Sequence, residues 1–578
     1  MRWLINRLRT MDASEICARF SDFGRHAMLR ASLDHVRKRA EIEVAHAPFK
    51  VVPGGSHARL GRVDQTLQTR IMAQANDWLE HKASFFAFHA LPLGDSIAWH
   101  RDYASGVTGP MSYSAFINPR DARVAGDVKN IWELNRLQHL VLLALAAVWT
   151  DDVRYSDEII VQLRSWHDQN PFMQGLNWKS PLESGIRLIS MAFVFWLIGD
   201  RADIDSLFRT ELRTSLYQHQ YMIRRFFAKH SSANNHLVGE MVGLYVASVV
   251  WPWYRESSSW QSFARDQLIA EIVNQVYADG VGQEQAMEYQ LFIFEFFLLA
   301  GALGHVVGDP FPPDYWERLQ HMAAFVAMVS DRQGHLPMFG DGDSGQVVWL
   351  PETLEERAAT VVRLGKADSQ GQVKAAPPDV RSTLLLWGQT KEDVPFMPVK
   401  MTQQSLRGFS QGGYYVLTAG QTRDDEMIVV FDAGPLGLPS LYAHGHADAL
   451  SFWLSYGGRE FFIDPGTFCY YGKDAWRAYF RGTAAHNTVR VDGQDQSIAG
   501  GRFLWRHVAQ CQLAYAEDNG THITVEARHD GYQRLNDPVM HWRRVELDRP
   551  GQVITIADPS RLPATTSSRT IFSFQRSM

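Results

Sequence analysis

The hydrophobic period of this chain changes once, and that change limits the folds open to it. Through the first two-thirds, apolar residues recur at helical spacing in long segments. Examples are NIWELNRLQHLVLLALAAVW, SPLESGIRLISMAFVFWLIG, HLVGEMVGLYVASVVW and QAMEYQLFIFEFFLLAGALG. Most are apolar on nearly all sides, so they must pack in more than one layer. Polar clusters such as HDQNPFMQGLNWKS and AKHSSANN separate them, and Ser180-Pro181 ahead of Glu183 and Ser231-Ser232 ahead of Asn234 read as helix starts. No fixed repeat period is present, so a regular solenoid is disfavoured and a toroid or barrel of paired helices is expected. Residues 366–400 turn polar and proline-bearing and read as a linker. Beyond them come short β-branched or aromatic runs bounded by Gly, Asp or Pro: GGYYVLTAG, EMIVVFDAG, LSFWLSYGG, REFFIDPG, HNTVRVDG, THITVEAR, RRVELD and QVITIAD. These predict an antiparallel β-sandwich.

A chain of 578 residues exceeds one ordinary domain. The expected organisation is α+β and multidomain: a helical or irregular cap over 1–120, a helical domain over 121–390 and a β-sandwich over 391–578. The formal charge of −6 gives no basic field to recruit nucleic acid, so any anionic substrate needs a local Arg and Lys cluster. Cys17, Cys469 and Cys511 are too few and too scattered for a disulfide framework or a thiolate metal site. The N-terminus MRWLINRLRTMDASEICARF has no apolar core like that of a secretory signal, so a cytoplasmic location is expected, or a periplasmic one if a leader has been removed. Apolar runs such as Leu140 to Trp149 read as too short to span a bilayer.

The densest polar constellation is YAHGHADALSFWLSYGGREFFIDPGTFCYYG followed by RAYFRGTAAHNTVRVDG. His444 and His446 share a face if the segment is extended, and Asp448 keeps that parity. Asp464 precedes a Pro-Gly turn and His486 opens the next expected strand. Two or three His and a carboxylate suit Zn²⁺, whereas strand-end residues bonding nearby backbone would look the same. In the helical part, Asn234, Asn235 and His236 sit at a helix start, where Asn is first a cap. Tyr289 follows DGVGQEQAME and would ordinarily be a core aromatic. Trp178, Glu183 and Arg187 form a third group, with Glu183 and Arg187 spaced for an i,i+4 ion pair.

Together these segments resemble the heparinase II/III-like polysaccharide lyases. HGHADALSFWL, FIDPGT and RAYFRGTAAHNTVRVDGQDQS are similar to that family's C-terminal module; DVKNIWELNRLQHL, NWKSPLESGIR, SSANNHLVGE and DGVGQEQAMEY are similar to its helical domain. The resemblance implies an N-terminal (α/α) toroid or incomplete barrel, a C-terminal β-sandwich, a cleft between them, and β-elimination on a uronic-acid polysaccharide or oligosaccharide. By matching motif it implies Asn235, His236, Tyr289 and His444 as catalytic residues and His446, Asp464 and His486 as ligands of one structural zinc. Ala286 departs from the Ser often found in that segment. Trp178, Glu183, Arg187, Asn234, Tyr479 and Arg481 are the candidate substrate contacts, with Arg477 beside them; a solvated turn explains the last three equally well. A homodimer is compatible with this reading.

The chemistry asks for these residue types. The C5 proton of a uronate is weakly acidic beside an anionic carboxylate, so donors such as Asn235 and His236 would neutralise that carboxylate. Tyr289 or His444 would take the proton, and Tyr289 would return one to the departing O4. A tyrosine titrates near ~10, so Tyr289 as base would need cations to lower its pKa. Two other classes compete: a glycoside hydrolase using Glu284 and Glu288 at helical spacing, and a non-catalytic exopolysaccharide-binding or assembly protein.

Overall fold

The structure is a computed structural model describing residues 7, 11–36, 60, 64–365, 379–390, 393–395, 404–422, 424–439, 441–471, 473–558 and 571–574. The N-terminal part contributes helices α1 (Ala13–Ala31) and α2 (Gln65–Leu79) and a hairpin of β1 (Lys82–Phe85) and β2 (Phe88–Pro92). A short helix α3 (Val128–Asn135) then leads into the main array. Asp12, Asp64 and Asp127 each cap the following helix by accepting a backbone N–H.

Eight helices alternate between two rows. The inner row is α4 (His139–Thr150), α6 (Pro181–Ile198), α8 (Asn235–Val250) and α10 (Met287–Val306), each packed on the next and buried along most of its length. The outer row is α5 (Val153–Gln169), α7 (Arg213–Phe226), α9 (Ser257–Gln275) and α11 (Pro313–Val329), packed on α4, α6, α8 and α10 in turn. The sequence dictates this sorting, because helices apolar all round can only be inner while the outer ones keep a polar face. At the α6–α8 crossing the backbones nearly touch: a Cβ on Gly243 would lie 2.3 Å from the Cα of Gly185. Among the described residues, three helical stretches, including Pro181–Ile198 and Met287–Val306, are long and apolar enough to cross a membrane by length and composition. This corrects the expectation of apolar runs too short to span. Here each is largely buried inside the protein.

Part of the expected linker lies among the described residues, and that part is folded into the helical core. Residues 366–378, 391–392 and 396–403 lie outside the described residues, but 379–390 hold α12's neighbour in the core: α12 (Leu354–Gly365) is followed by α13 (Val380–Leu385). Arg381 of α13 pairs with Glu295 of α10 at 2.9 Å, both fully buried.

Two five-stranded antiparallel sheets follow. The first runs in sequence order from β3 (Leu406–Phe409) through β4 (Tyr414–Ala419), β5 (Met427–Asp432) and β6 (Phe452–Tyr456) to β7 (Arg459–Phe462). A small hairpin, β8 (Ile498–Gly501) with β9 (Leu504–His507), leads to the second sheet. That sheet contains β10 (Cys511–Asp518), β11 (His522–Tyr532), β12 (Val539–Asp548), β13 (Val553–Ala557) and β14 (Ile571–Phe574). Leu417, Val429, Phe431 and Leu454 meet Ile523, Val525, Val545 and Ile556 between the sheets. The alternate residues Tyr414, Val416, Ile428, Val430 and Trp453 join the helical core instead. The central strands β4 to β6 are therefore buried on both faces, which explains their unbroken apolar runs. The segment HNTVRVDG, expected as a strand, is irregular, and His486 follows a short helical turn over Thr483–Ala485. A helix not foreseen, α14 (Asp474–Phe480), lies just before it.

Candidate active site

A cleft of about 580 Å³ opens where the inner helices meet the loops of the sandwich. Asn234 caps α8, its Oδ1 accepting the His236 N–H at 3.1 Å, and so sets Asn235 and His236 on the cleft wall. The first turn of α10 presents Tyr289. His444 comes from the loop between β5 and β6, which is irregular rather than a strand. That loop is bracketed by left-handed backbone at Tyr442 (φ 56°) and Leu450 (φ 61°). Such conformations cost on the order of 1–3 kcal/mol each for residues with a Cβ. Leu450 is fixed there by its N–H to the Asp432 carbonyl at 2.9 Å and by Arg543 donating to its carbonyl at 2.7 Å.

The Tyr289 ring stacks on His444 with centroids 3.9 Å apart, and its hydroxyl lies 3.0 Å from that of Tyr470. Burial, then the carboxylate of Asp343, hold the Tyr289 phenol well above its usual pKa, so it stays protonated. Asn235 donates to Glu284 through its backbone N–H at 3.0 Å and through Nδ2, which lies 3.0 Å from both carboxylate oxygens. Burial pushes the Glu284 carboxyl up. His236 opens on the cleft, and desolvation by the surrounding protein lowers its pKa to about 4, so it is neutral near pH 7.

Asp341 organises the centre and was not singled out from the sequence. One oxygen meets His444 Nδ1 at 3.2 Å and the other meets His446 Nε2 at 2.8 Å. Arg477 clamps both oxygens and Thr467 donates to one at 2.9 Å. Although burial opposes ionisation, the Arg477 guanidinium and the two imidazoles hold the Asp341 carboxyl well below its ordinary range. Its backbone N–H also donates to the His444 carbonyl at 2.8 Å. The nearby turn GDGDSG supplies Asp343 as well, paired with Lys129 at 3.1 Å on the cleft wall.

Behind His446 lies a second cluster. Atoms of His446, Asp464 and His486 that could serve as metal ligands all fall within 4.8 Å of one another. His446 Nδ1 and His486 Nε2 are buried without a hydrogen-bond partner, while the opposite nitrogens engage Asp341 and Asp464. Buried polar atoms are rarely left unsatisfied, and two imidazoles plus a carboxylate form a donor set that fits zinc. Asp448 is buried beside this cluster, its carboxyl raised to about 7 chiefly by desolvation.

The other candidates are dispersed. Glu183 lines the cleft but pairs with Arg136 (3.0 and 3.1 Å), not with Arg187. Arg187 is fully buried, donating to His219 Nε2 at 2.9 Å and to the Asn177 carbonyl at 2.6 Å. Trp178 is buried, and its indole N–H donates to the Asn170 carbonyl at 3.1 Å. Arg477 and Arg481 are buried rather than solvated on a turn; Arg481 donates to the Gly501 carbonyl at 2.7 Å. Tyr479 is exposed on α14 and does not line the cleft. Glu284 precedes α10 in a turn and Glu288 lies within it, so they do not share a helical face. Glu288 is occupied by the backbone N–H groups of Asp343 and Ser344.

A double-layered helical array joined to an antiparallel sandwich, with a Tyr–His centre in the cleft between them, defines the class of this protein. Residues 26–361 match the heparinase II/III N-terminus and residues 401–575 match the heparinase II/III-like C-terminal region. The chain belongs to the heparinase II/III-like family. It is similar to a heparin-sulfate lyase of Pedobacter heparinus, 26% identical over 383 residues that cover 64% of this chain and 53% of that protein. A heparin-sulfate lyase of Bacteroides thetaiotaomicron is 24% identical over 416 residues, covering 67% and 55%. The chain thus spans about half the length of these curated relatives. Among solved structures, Heparinase III shares the fold with a TM-score of 0.61 at 20% identity, covering 94% of this chain and 76% of that one. Heparan sulfate lyase HepC from Pedobacter heparinus does so with a TM-score of 0.54 at 21% identity, covering 92% and 74%.

Proposed function

We propose that this protein is a polysaccharide lyase that cleaves a uronic-acid-containing, heparan-type polysaccharide by β-elimination. The observation that carries this reading is the stacking of Tyr289 on His444 in the cleft, with Asn235 and His236 on the same wall. Both Glu284 oxygens lie 3.0 Å from Asn235 Nδ2, the spacing of one shared N–H, which leaves the second for a substrate carboxylate. A neutral His236 donates the other hydrogen bond. These donors stabilise the enolate-like intermediate as charge builds on that carboxylate.

The division of labour follows from protonation. Tyr289, held protonated, serves as the acid that delivers a proton to the departing O4. His444 directs Nδ1 at the ionised Asp341, which favours a proton on that nitrogen and a lone pair on Nε2. Nε2 is then the base for the C5 proton. Glu284 stands 3.4 Å from it, near enough to stabilise the imidazolium that forms.

His446, Asp464 and His486 would hold one structural zinc, whose charge would fix the loop carrying His444. Glycoside hydrolysis finds no support in the site, since Glu284 and Glu288 are each committed to neighbouring groups. Incubation with heparan sulfate, hyaluronan, chondroitin and alginate tests the reading. New ultraviolet absorbance from unsaturated ends is expected on the heparan-type polymer. New reducing ends without that chromophore would mean hydrolysis instead.

A further inference from the structure

The N-terminal helix α1 does more than cap the helical array. Glu15 accepts from Ser231 Oγ at 2.5 Å, and His26 stacks on Phe226 with centroids 3.9 Å apart and planes 3° from parallel. The helix is thereby fastened to the segment that leads into Asn235, and Glu15, Arg19 and Asp22 become part of the cleft wall. Beyond Arg19, Asp22 and Lys179 the cleft continues into a second hollow of about 380 Å³. Its walls are Phe23 of α1 and Phe116, whose rings are 5.9 Å apart. Both residues are exposed, Phe23 to 63% and Phe116 to 49%. Large apolar side chains left exposed in a concavity continuous with a reaction cleft mark a binding surface.

Lys179 stands at the junction of the two hollows. Its Nζ donates to the Ala115 carbonyl at 2.7 Å, leaving further N–H donors, and Arg120 stands close enough to repel it. A cation at the junction followed by two exposed aromatic rings, one of them with the Arg30 guanidinium 5.9 Å from its centroid, suits a repeating anionic sugar: the charges take acidic substituents, and the remaining ring surface takes the apolar face of the next pyranose.

We propose that Phe23 and Phe116 form an outer subsite for a sugar unit distant from the cleaved bond, with Lys179 holding an anionic group of the polymer between the two hollows. This rests on the lyase reading above and adds α1 to the substrate-binding surface. Size-defined heparan sulfate oligosaccharides test it, comparing wild type with the double variant Phe23→Ala/Phe116→Ala. Wild type should favour the octasaccharide over the tetrasaccharide in kcat/KM. The double variant should lower that octasaccharide-to-tetrasaccharide ratio by roughly threefold to tenfold, the size of one aromatic stacking contact. Phe116→Trp, which keeps a stacking face, should retain the ratio. An unchanged ratio in the double variant overturns the proposal. Calorimetric titration in a Tyr289→Phe background separates this from the failure of the lyase reading. Weaker octasaccharide binding upon loss of the two rings supports the subsite even if no turnover is seen, and equal binding refutes it.

Discussion

His444 and His446 are two residues apart and meet opposite oxygens of Asp341, yet they serve different surroundings. His444 uses Nδ1 for that contact and turns Nε2 towards the cleft, beside Glu284 and under the ring of Tyr289. His446 uses Nε2 and leaves Nδ1 in a closed polar cluster with Asp464 and His486. What separates the two roles is which ring nitrogen the shared carboxylate takes and what faces the other. An H-x-H spacing carries neither fact. Asp341 also makes the two clusters mechanically continuous, because Arg477 and Thr467 hold the same carboxylate.

The sharpest way to break this contrast is on the cleft side. Tyr289→Phe should lower kcat by roughly 10²–10⁴ while circular dichroism stays native, since only a buried hydroxyl is lost. Near-normal turnover would transfer the acid role to Tyr470, whose hydroxyl is 3.0 Å away, and Tyr470→Phe would then carry the loss. Asn235→Ala should cost roughly 10²–10³ in kcat through a lost oxyanion-type donor. Retained activity there would leave carboxylate neutralisation to His236.

The metal side is tested by exchanging the two histidines' fates. Elemental analysis should find about one zinc per chain. His446→Ala should remove it and lower the melting temperature, whereas His444→Ala should keep it and abolish turnover. The opposite pattern would mean the assignments are reversed.

A smaller effect concerns pH. Without metal, Asp464 lifts the His486 pKa to about 9 against desolvation, above the ~6.5 of an unfolded histidine. A raised histidine pKa stabilises the fold fully below the unfolded value, and this stability is lost as pH rises through the folded one. Chelator-stripped protein should therefore lose stability between about pH 6.5 and pH 9, while zinc-loaded protein, with its imidazoles already deprotonated, should not. Parallel melting curves over that range would show that the His486–Asp464 pair adds nothing.

Much of the fold was legible because period and composition report burial directly. Inner helices such as α10 announce themselves by being apolar all round, and β4 to β6 by β-branched and aromatic runs with sharp Gly or Asp ends. The irregular path of His486 was not legible, since HNTVRVDG has strand composition but is held by side-chain contacts: Asn487 Nδ2 donates to the Phe452 carbonyl at 3.0 Å and to the Ile463 carbonyl at 2.8 Å. Asp341 was hidden for a related reason. An Asp in a Gly-rich turn looks like turn chemistry, and nothing local reveals partners more than 100 positions away. The hint on offer was that GDGDSG places two carboxylates close together in the irregular stretch that follows the outer helix α11, a feature shared by many ordinary loops. Arg187 misled in the opposite sense, because the i,i+4 spacing to Glu183 was right for a pair while burial gave each residue another partner.

The two buried faces of strands β4 to β6 have a consequence for how the molecule moves. Phe325 and Phe339 of the helical part pack against Phe409 and Tyr414, with the Phe339 and Tyr414 rings 4.5 Å apart, while the reverse side of the same strands fills the sandwich. The matched regions end at residue 361 and resume at 401, yet among the described residues one apolar cluster runs from the helices into the first sheet. Interfaces between domains normally allow rocking, but a shared apolar core does not. The cleft therefore behaves as a fixed trough rather than a jaw. On the lyase reading proposed above, a polymer would be laid into it from the side, across a rim made of loops and of α1, which the Glu15–Ser231 hydrogen bond and the His26–Phe226 stack fasten in place.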